Sequence, residues 1–184
     1  RQAEKLGRET GNRKILSTAL ANQAVCYRLL GDTDTALRYN LEALRIREEI
    51  GDRKGIGGSL NNIAVIYADT LFSGYDPSTA LEYFERSLDI KEEQGDQAGI
   101  CQTLINIGML QTDLKRFDLG RSMLEQALAK DDGDGAPYLA LKSTVLDRMG
   151  RNAEANEIAV QAMKAYDPLS KLDDWALGWY ETTT

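Results

Sequence analysis

The feature that most constrains this chain is internal repetition. The segment Ala24-Val25-Cys26-Tyr27 has a close counterpart 40 residues later, Ala64-Val65-Ile66-Tyr67, and the pairs Gly51-Asp52 and Gly95-Asp96 are 44 residues apart. A period of about 40 residues is typical of solenoids in which one helix pair stacks on the next. The sequence therefore predicts a helical array with one insertion. We expect its function to be binding, by a curved surface.

Apolar residues predict the individual helices. Leu16, Leu20, Ala24 and Tyr27 recur at steps of three and four residues, which places them on one face of a helix that closes at Gly31. The same pattern predicts a partner helix that ends at Gly51 and six further helices. We expect these at about residues 53–71, 77–94, 97–114, 117–130, 136–149 and 152–165.

These helices pair into four hairpins. The chain begins without Met, inside a predicted helix. We therefore expect a fragment of a larger protein. The predicted units are the end of a preceding repeat helix (1–12), a first repeat (13–52), a second repeat with a turn insertion (53–96), a third repeat with its linker (97–135), a fourth repeat (136–168), and a capping helix with a tail (169–184).

Small residues recur where the two helices of a hairpin must approach closely. They are Ala24, Ala64 and Gly108 on the first helices and Ala36, Ala80 and Gly120 on the second. With the Gly-Asp linkers, this pattern resembles the tetratricopeptide repeat (TPR), in its variant of about 40 residues. The resemblance implies an all-α, right-handed α-solenoid that is not an enzyme, uses no cofactor, and binds a protein or peptide along its concave face.

The chain departs from the family pattern at one place in its first repeat and one in its third repeat. Asn40 stands where the next repeat has the large apolar residue Phe84, and Gln111 stands where a tyrosine is expected. We expect these departures to weaken single units without disturbing the array.

A row of asparagines marks a candidate groove. Asn22, Asn62 and Asn106 occupy the same place in three successive first helices, and Val25, Val65 and Met109 follow each of them by three residues. An asparagine amide offers a donor and an acceptor, so it can bond the backbone of an extended peptide. The resemblance here is to kinesin light chains and bacterial peptide-pheromone receptors, whose asparagines hold ligand backbone. The candidate peptide-binding residues are Asn22, Val25, Arg28, Asn61, Asn62, Val65, Asp69, Asn106, Met109 and Asp113.

Other interpretations of these residues remain open. The asparagines could bond neighbouring helices, with the apolar stripe belonging to the core, and the chain would then be a structural spacer or a self-assembling scaffold with stacked repeat ends. If the groove binds a peptide, Asp69 and Asp113 favour a basic ligand residue. A clamp for a terminal carboxylate is disfavoured, because the family's basic clamp sites hold Ala21, Asn61 and Ile105.

Composition excludes several functions. The chain has no histidine and only two cysteines, which removes histidine-based catalytic triads and histidine or all-cysteine zinc sites. A net charge of −7 argues against nucleic acid or an anionic membrane as partner. Cys26 and Cys101 are expected to be buried, reduced thiols, which suits a cytoplasmic protein.

The remaining segments receive structural interpretations. We expect Phe72 and Tyr75 to pack over the end of the second hairpin, with a contact loop as the alternative, and residues 131–135 to be a linker rather than a calcium loop. Trp175 and Trp179 are expected on the capping helix, with partner docking as the alternative. The charges of the outer helices, which include Arg47 and Lys91, are expected to be solvated.

Overall fold

The computed structural model describes residues 2–130 and 136–166, which form nine helices. The predicted linker at 131–135 and the predicted capping helix lie outside these residues. After α1, the helices pair as α2/α3, α4/α5, α6/α7 and α8/α9, so the predicted all-α solenoid of hairpins is confirmed. The bounds are α1 Gln2–Thr10, α2 Arg13–Leu29, α3 Thr33–Glu49, α4 Arg53–Tyr67, α5 Pro77–Glu93, α6 Gln97–Asp113, α7 Phe117–Lys130, α8 Ala136–Arg148 and α9 Asn152–Tyr166.

The Gly-Asp pairs end one helix and begin the next. Gly51 and Gly95 adopt φ angles of 69° and 65°, which favour glycine and reverse the chain. Asp52 and Asp96 then cap α4 and α6, each Oδ1 accepting a hydrogen bond of 3.1 Å from the backbone N–H three residues later. The repeated dipeptide is thus a helix stop followed directly by a helix start.

The fourth helix is shorter than predicted. It ends at Tyr67 instead of near residue 71, because Asp69 turns the chain by accepting a hydrogen bond from Leu71 N at 2.9 Å. The turn places Phe72 in a cluster with Ala36 and Ile66, where it is 8% exposed. Phe72 therefore packs over the hairpin end as expected, whereas Tyr75 remains 37% exposed.

Small residues allow the helices of the third hairpin to touch. A Cβ added to Gly120 would lie 2.5 Å from Thr112 Oγ1 and 2.9 Å from Gly108 O. One added to Gly108 would lie 3.0 Å from Leu124 Cγ. Side chains would force these helices apart, as the small-residue pattern predicted.

The array curves toward its first helices. The first helices α2, α4, α6 and α8 contact one another in succession, whereas in the described part of the chain α3, α5, α7 and α9 contact only first helices. Closer spacing on one side of a stack bends it toward that side. The first helices therefore form the inner surface.

Two predictions about burial are wrong. Arg47 and Lys91, at the C-terminal ends of α3 and α5, are only 9% and 8% exposed, because each reaches under the first turn of the following first helix. Cys26 is exposed, whereas Cys101 is buried with its Sγ 3.5 Å from Ala127 O. In the packing of α1 against α2, Gly7 contacts Leu16 and Glu4 accepts a hydrogen bond from Gln23. Cys26 lies beyond these contacts and is therefore not covered by α1.

Candidate functional site

Two adjoining depressions lie on the inner surface. The first, of about 290 Å³, opens between α2, α4 and α6, and we call it the amide depression. The second, of about 250 Å³, opens mainly between α4 and α6, and we call it the apolar depression. Arg28, Val65 and Asn106 line both, so the two form one continuous groove. The amide depression is lined by Ala24, Val25, Arg28, Asn40, Asn61, Asn62, Val65, Gln102 and Asn106, and the apolar depression by Arg28, Val65, Ala68, Asp69, Phe84, Asn106, Met109, Leu110 and Asp113.

The structure brings together all the candidate residues except Asn22. Asn62 and Asn106 lie on the side of their helix that faces the preceding first helix. The corresponding side of α2 has no first helix before it in the part of the chain that the structure describes, and Asn22 is exposed there. The expected row of three asparagines is therefore a pair within this groove.

A hydrogen bond joins Asn61 of the second repeat to Asn106 of the third repeat. Asn61 Oδ1 accepts a hydrogen bond of 3.1 Å from Asn106 Nδ2, and Asn106 Oδ1 accepts one of 3.3 Å from Gln102 Nε2. Asn106 thus bonds a neighbouring helix, which is what the alternative interpretation of the asparagines expected of it. Its position in the groove is consequently fixed by the packing of α4 against α6.

A buried cation lies behind this pair. Lys91 Nζ donates a hydrogen bond of 2.7 Å to Thr103 Oγ1, and the same hydroxyl lies 3.3 Å from Asn61 Oδ1. Burial lowers the pKa of Lys91 below its usual value near 10.5, and Asp96 opposes this shift only in part. A chain of polar contacts therefore runs from the seam between repeats to the wall of the groove.

The carboxylates of the groove already have partners. Asp113 forms an ion pair with Arg148 of α8, and Asp69 accepts the backbone bond that ends α4. Arg28 brings a positive charge to both depressions. The charge available to a ligand is thus less negative than the expectation of a basic ligand residue beside Asp69 and Asp113 assumed.

Asn40 and Phe84 line the groove from the second helices, and sequence reasoning did not identify either as a site residue. Asn40 is 2% exposed and its Oδ1 accepts no hydrogen bond from the described residues, whereas Phe84 is 1% exposed and packs against Ala64 and Leu110. The available signal was the departure from the repeat pattern at Asn40, which we interpreted as a weakness of the unit.

The described residues of the two depressions form no metal-binding cluster. Within residues 2–130 and 136–166, no three carboxylate or thiol groups are placed to hold a metal ion. In the same residues, no helix is both long and apolar enough to cross a lipid bilayer. The groove presents amides, apolar side chains, a guanidinium group and two carboxylates that already have partners. Such a mixture of apolar and polar groups is typical of ligand-binding surfaces.

Comparison with known proteins agrees with this architecture. Residues 14–93 match the family model of the tetratricopeptide repeat. The crystal structure of BtubC (BKLC) from P. vanneervenii superposes with a TM-score of 0.68 at 20% sequence identity. The superposition covers 84% of this chain and 64% of that one, so the chain spans less than two thirds of BtubC. No curated protein matches the chain. The family match shows tetratricopeptide repeats over residues 14–93, and the hairpin α8/α9 and its neighbour α6/α7 continue the same stacked helix-pair fold.

Proposed function

We propose that this chain is a non-catalytic module that binds an extended peptide segment of a partner protein along its inner surface. Tetratricopeptide repeats generally mediate protein–protein interaction, which sets the class of partner. The observation that supports a groove-bound peptide is the continuity of the two depressions through Arg28, Val65 and Asn106.

The dimensions of the groove suit an extended chain. Adjacent packed helices lie about 8–10 Å apart, and side chains on one face of an extended peptide are about 6.6 Å apart. Successive depressions would therefore receive ligand side chains about two to three residues apart. Asn62, at the edge of the amide depression, offers both a donor and an acceptor to the peptide backbone.

Binding can be tested with two matched substitutions. Val25 in the groove and Leu41 on α3 outside it are 39% and 41% exposed, and both lie on helices. A random-peptide library is selected against the original chain, V25R and L41R, and circular dichroism checks that each folds. We expect V25R to lose affinity for the selected peptides about tenfold or more, since the new cation occupies the groove beside Arg28. Equal losses in V25R and L41R, or no peptide selected by the original chain, would refute the proposal.

Self-association is the second candidate, and a specific observation favours it. Leu29, Leu30 and Leu71 are 72%, 80% and 92% exposed at the turns of the first two hairpins, which lie at the same edge of the array. Exposed apolar clusters favour protein contacts. Sedimentation at increasing concentration would show a dimer that L30S/L71S abolishes if this edge joins two copies.

A further inference from the structure

One position in the second helices differs in chemistry from repeat to repeat. Asn40, Phe84 and Leu124 occupy equivalent places in α3, α5 and α7, and all three are at most 2% exposed. Phe84 packs in the apolar cluster of the second and third repeats, and Leu124 contacts Gly108. Asn40 alone places an amide where an apolar side chain would stabilise the hairpin.

Asn40 lines the groove, and its amide oxygen is buried. Its Oδ1 accepts no hydrogen bond from the described residues, and the side chain lines the amide depression beside Asn61 and Asn62. A buried acceptor without a donor costs free energy relative to a packed apolar group. Oδ1 has almost no accessible surface in the free chain, so a ligand donor reaches it only when the amide depression adjusts on binding. The energy is then recovered only in the complex, and Asn40 favours ligands that carry such a donor.

The surroundings of Asn40 limit which donor fits. Arg28 lines the same depression and repels a lysine or arginine side chain of the ligand. Asn62 and Gln102 add amides that can both donate and accept. A neutral side chain with both functions, the carboxamide of glutamine or asparagine, satisfies Asn40 and these neighbours together.

The neighbouring depression has more apolar lining. Its lining from the second helix is the phenyl ring of Phe84, with Val65, Met109 and Leu110 around it. An aliphatic ligand side chain would bury its surface there against these apolar side chains.

We infer that Asn40 is a specificity-determining residue: the amide depression takes a glutamine or asparagine side chain of the peptide, and the apolar depression takes an aliphatic side chain two to three residues away. This inference rests on the proposed peptide-binding function. It adds the chemistry of two ligand positions and assigns each to one residue of a second helix.

The test compares ligand preference with stability. Peptides are selected by the original chain, and each selected glutamine is then replaced by methionine, which has a similar length and no hydrogen-bond donor. We expect the methionine peptide to bind the original chain about tenfold more weakly. It should bind N40L about as well as the glutamine peptide does, and N40L should keep its aliphatic preference. N40L should also unfold at a higher temperature than the original chain, because an unbonded buried amide is removed.

Controls separate this inference from the proposed function. L124M changes a buried residue at the equivalent place outside both depressions, and it should leave the glutamine preference unchanged. If N40L does not fold, N40A removes the same amide without adding volume, and the same loss of preference is expected. If the original chain selects no peptide, the proposed function fails and this inference with it. If peptides are selected without a glutamine or asparagine preference, or if that preference survives in N40L or N40A, the inference alone is wrong.

Discussion

The seam between the first and second repeats and the seam between the second and third use the same device with different cations. Arg47 at the end of α3 donates to Gly55 O at 3.0 Å and to Ser59 Oγ at 2.7 Å. Lys91, 44 residues later, donates to Thr103 Oγ1 at 2.7 Å. In both seams a buried basic side chain joins one hairpin to the first helix of the next.

Glycine makes room for the cation in each seam. A Cβ on Gly55 would lie 2.8 Å from Arg47 Cδ, and one on Gly99 would lie 3.0 Å from Lys91 Cδ. The cation, the capping aspartate, the glycine and the hydroxyl therefore recur together as one unit of repeat stacking.

The two seams differ in the residues that their hydrogen bonds reach. Arg47 has two acceptors in its own seam. Beyond Lys91, the hydroxyl of Thr103 lies near Asn61, whose Oδ1 also accepts a bond from Asn106 in the groove. The same stacking element therefore joins repeats in the first seam, and in the second seam it also contacts a residue of the candidate binding site.

The largest expected effect is on stability. T103V keeps the shape of the side chain but removes the hydroxyl that pairs with the Lys91 ammonium, so we expect a loss of about 2–3 kcal/mol in the free energy of unfolding. S59A leaves Arg47 its bond to Gly55 O, and we expect a loss of about 1 kcal/mol. Urea unfolding of both variants gives the values. A loss in S59A as large as that in T103V would show that the two seams do not differ in this way.

The second prediction concerns pH. Because burial lowers the pKa of Lys91, the unfolded chain binds more protons than the folded chain between the folded pKa and about 10.5. Stability attributable to this group therefore rises as pH rises through that window and is lowest below the folded pKa, where the amine is charged in both states. We expect K91M to remove this rise, measured as the free energy of unfolding against pH.

The other seam supplies the control for that measurement. An arginine stays protonated throughout the same range, so R47M should leave the slope of stability against pH unchanged. A slope that R47M reduces and K91M does not would contradict the assignment to Lys91.

The smallest expected effect is on binding. Since Thr103 lies against Asn61, T103V should weaken the peptides selected by the original chain about threefold, which is at the low end of couplings within one hydrogen-bond network. S59A should not change their affinity. Titration calorimetry at a temperature where both variants are folded makes the comparison, and equal affinities would place Asn61 outside the influence of the Lys91 seam.

Local patterns in the sequence determined much of this protein. Apolar residues at steps of three and four predicted the helices of the hairpins, the Gly-Asp pairs predicted the helix ends, and the small residues predicted the close helix contacts. These features could be predicted because each depends on neighbours in the chain or on one partner helix. The candidate groove followed for the same reason: equivalent positions of successive first helices are aligned by stacking. Of the candidate residues, only Asn22 lies outside it.

Which polar groups are buried depends on the packing of segments that are distant in the sequence. Helix periodicity places Arg47 and Lys91 on outer helices. Their burial depends on glycines in the next hairpin, which leave space for these long side chains. The sequence likewise predicted Asn40 to be a core residue that weakens its repeat. Its position in the lining of a depression depends on how α2, α4 and α6 are spaced. Burial of a polar side chain is set by how distant segments pack around it, and a pattern within one segment does not fix which polar groups that packing encloses.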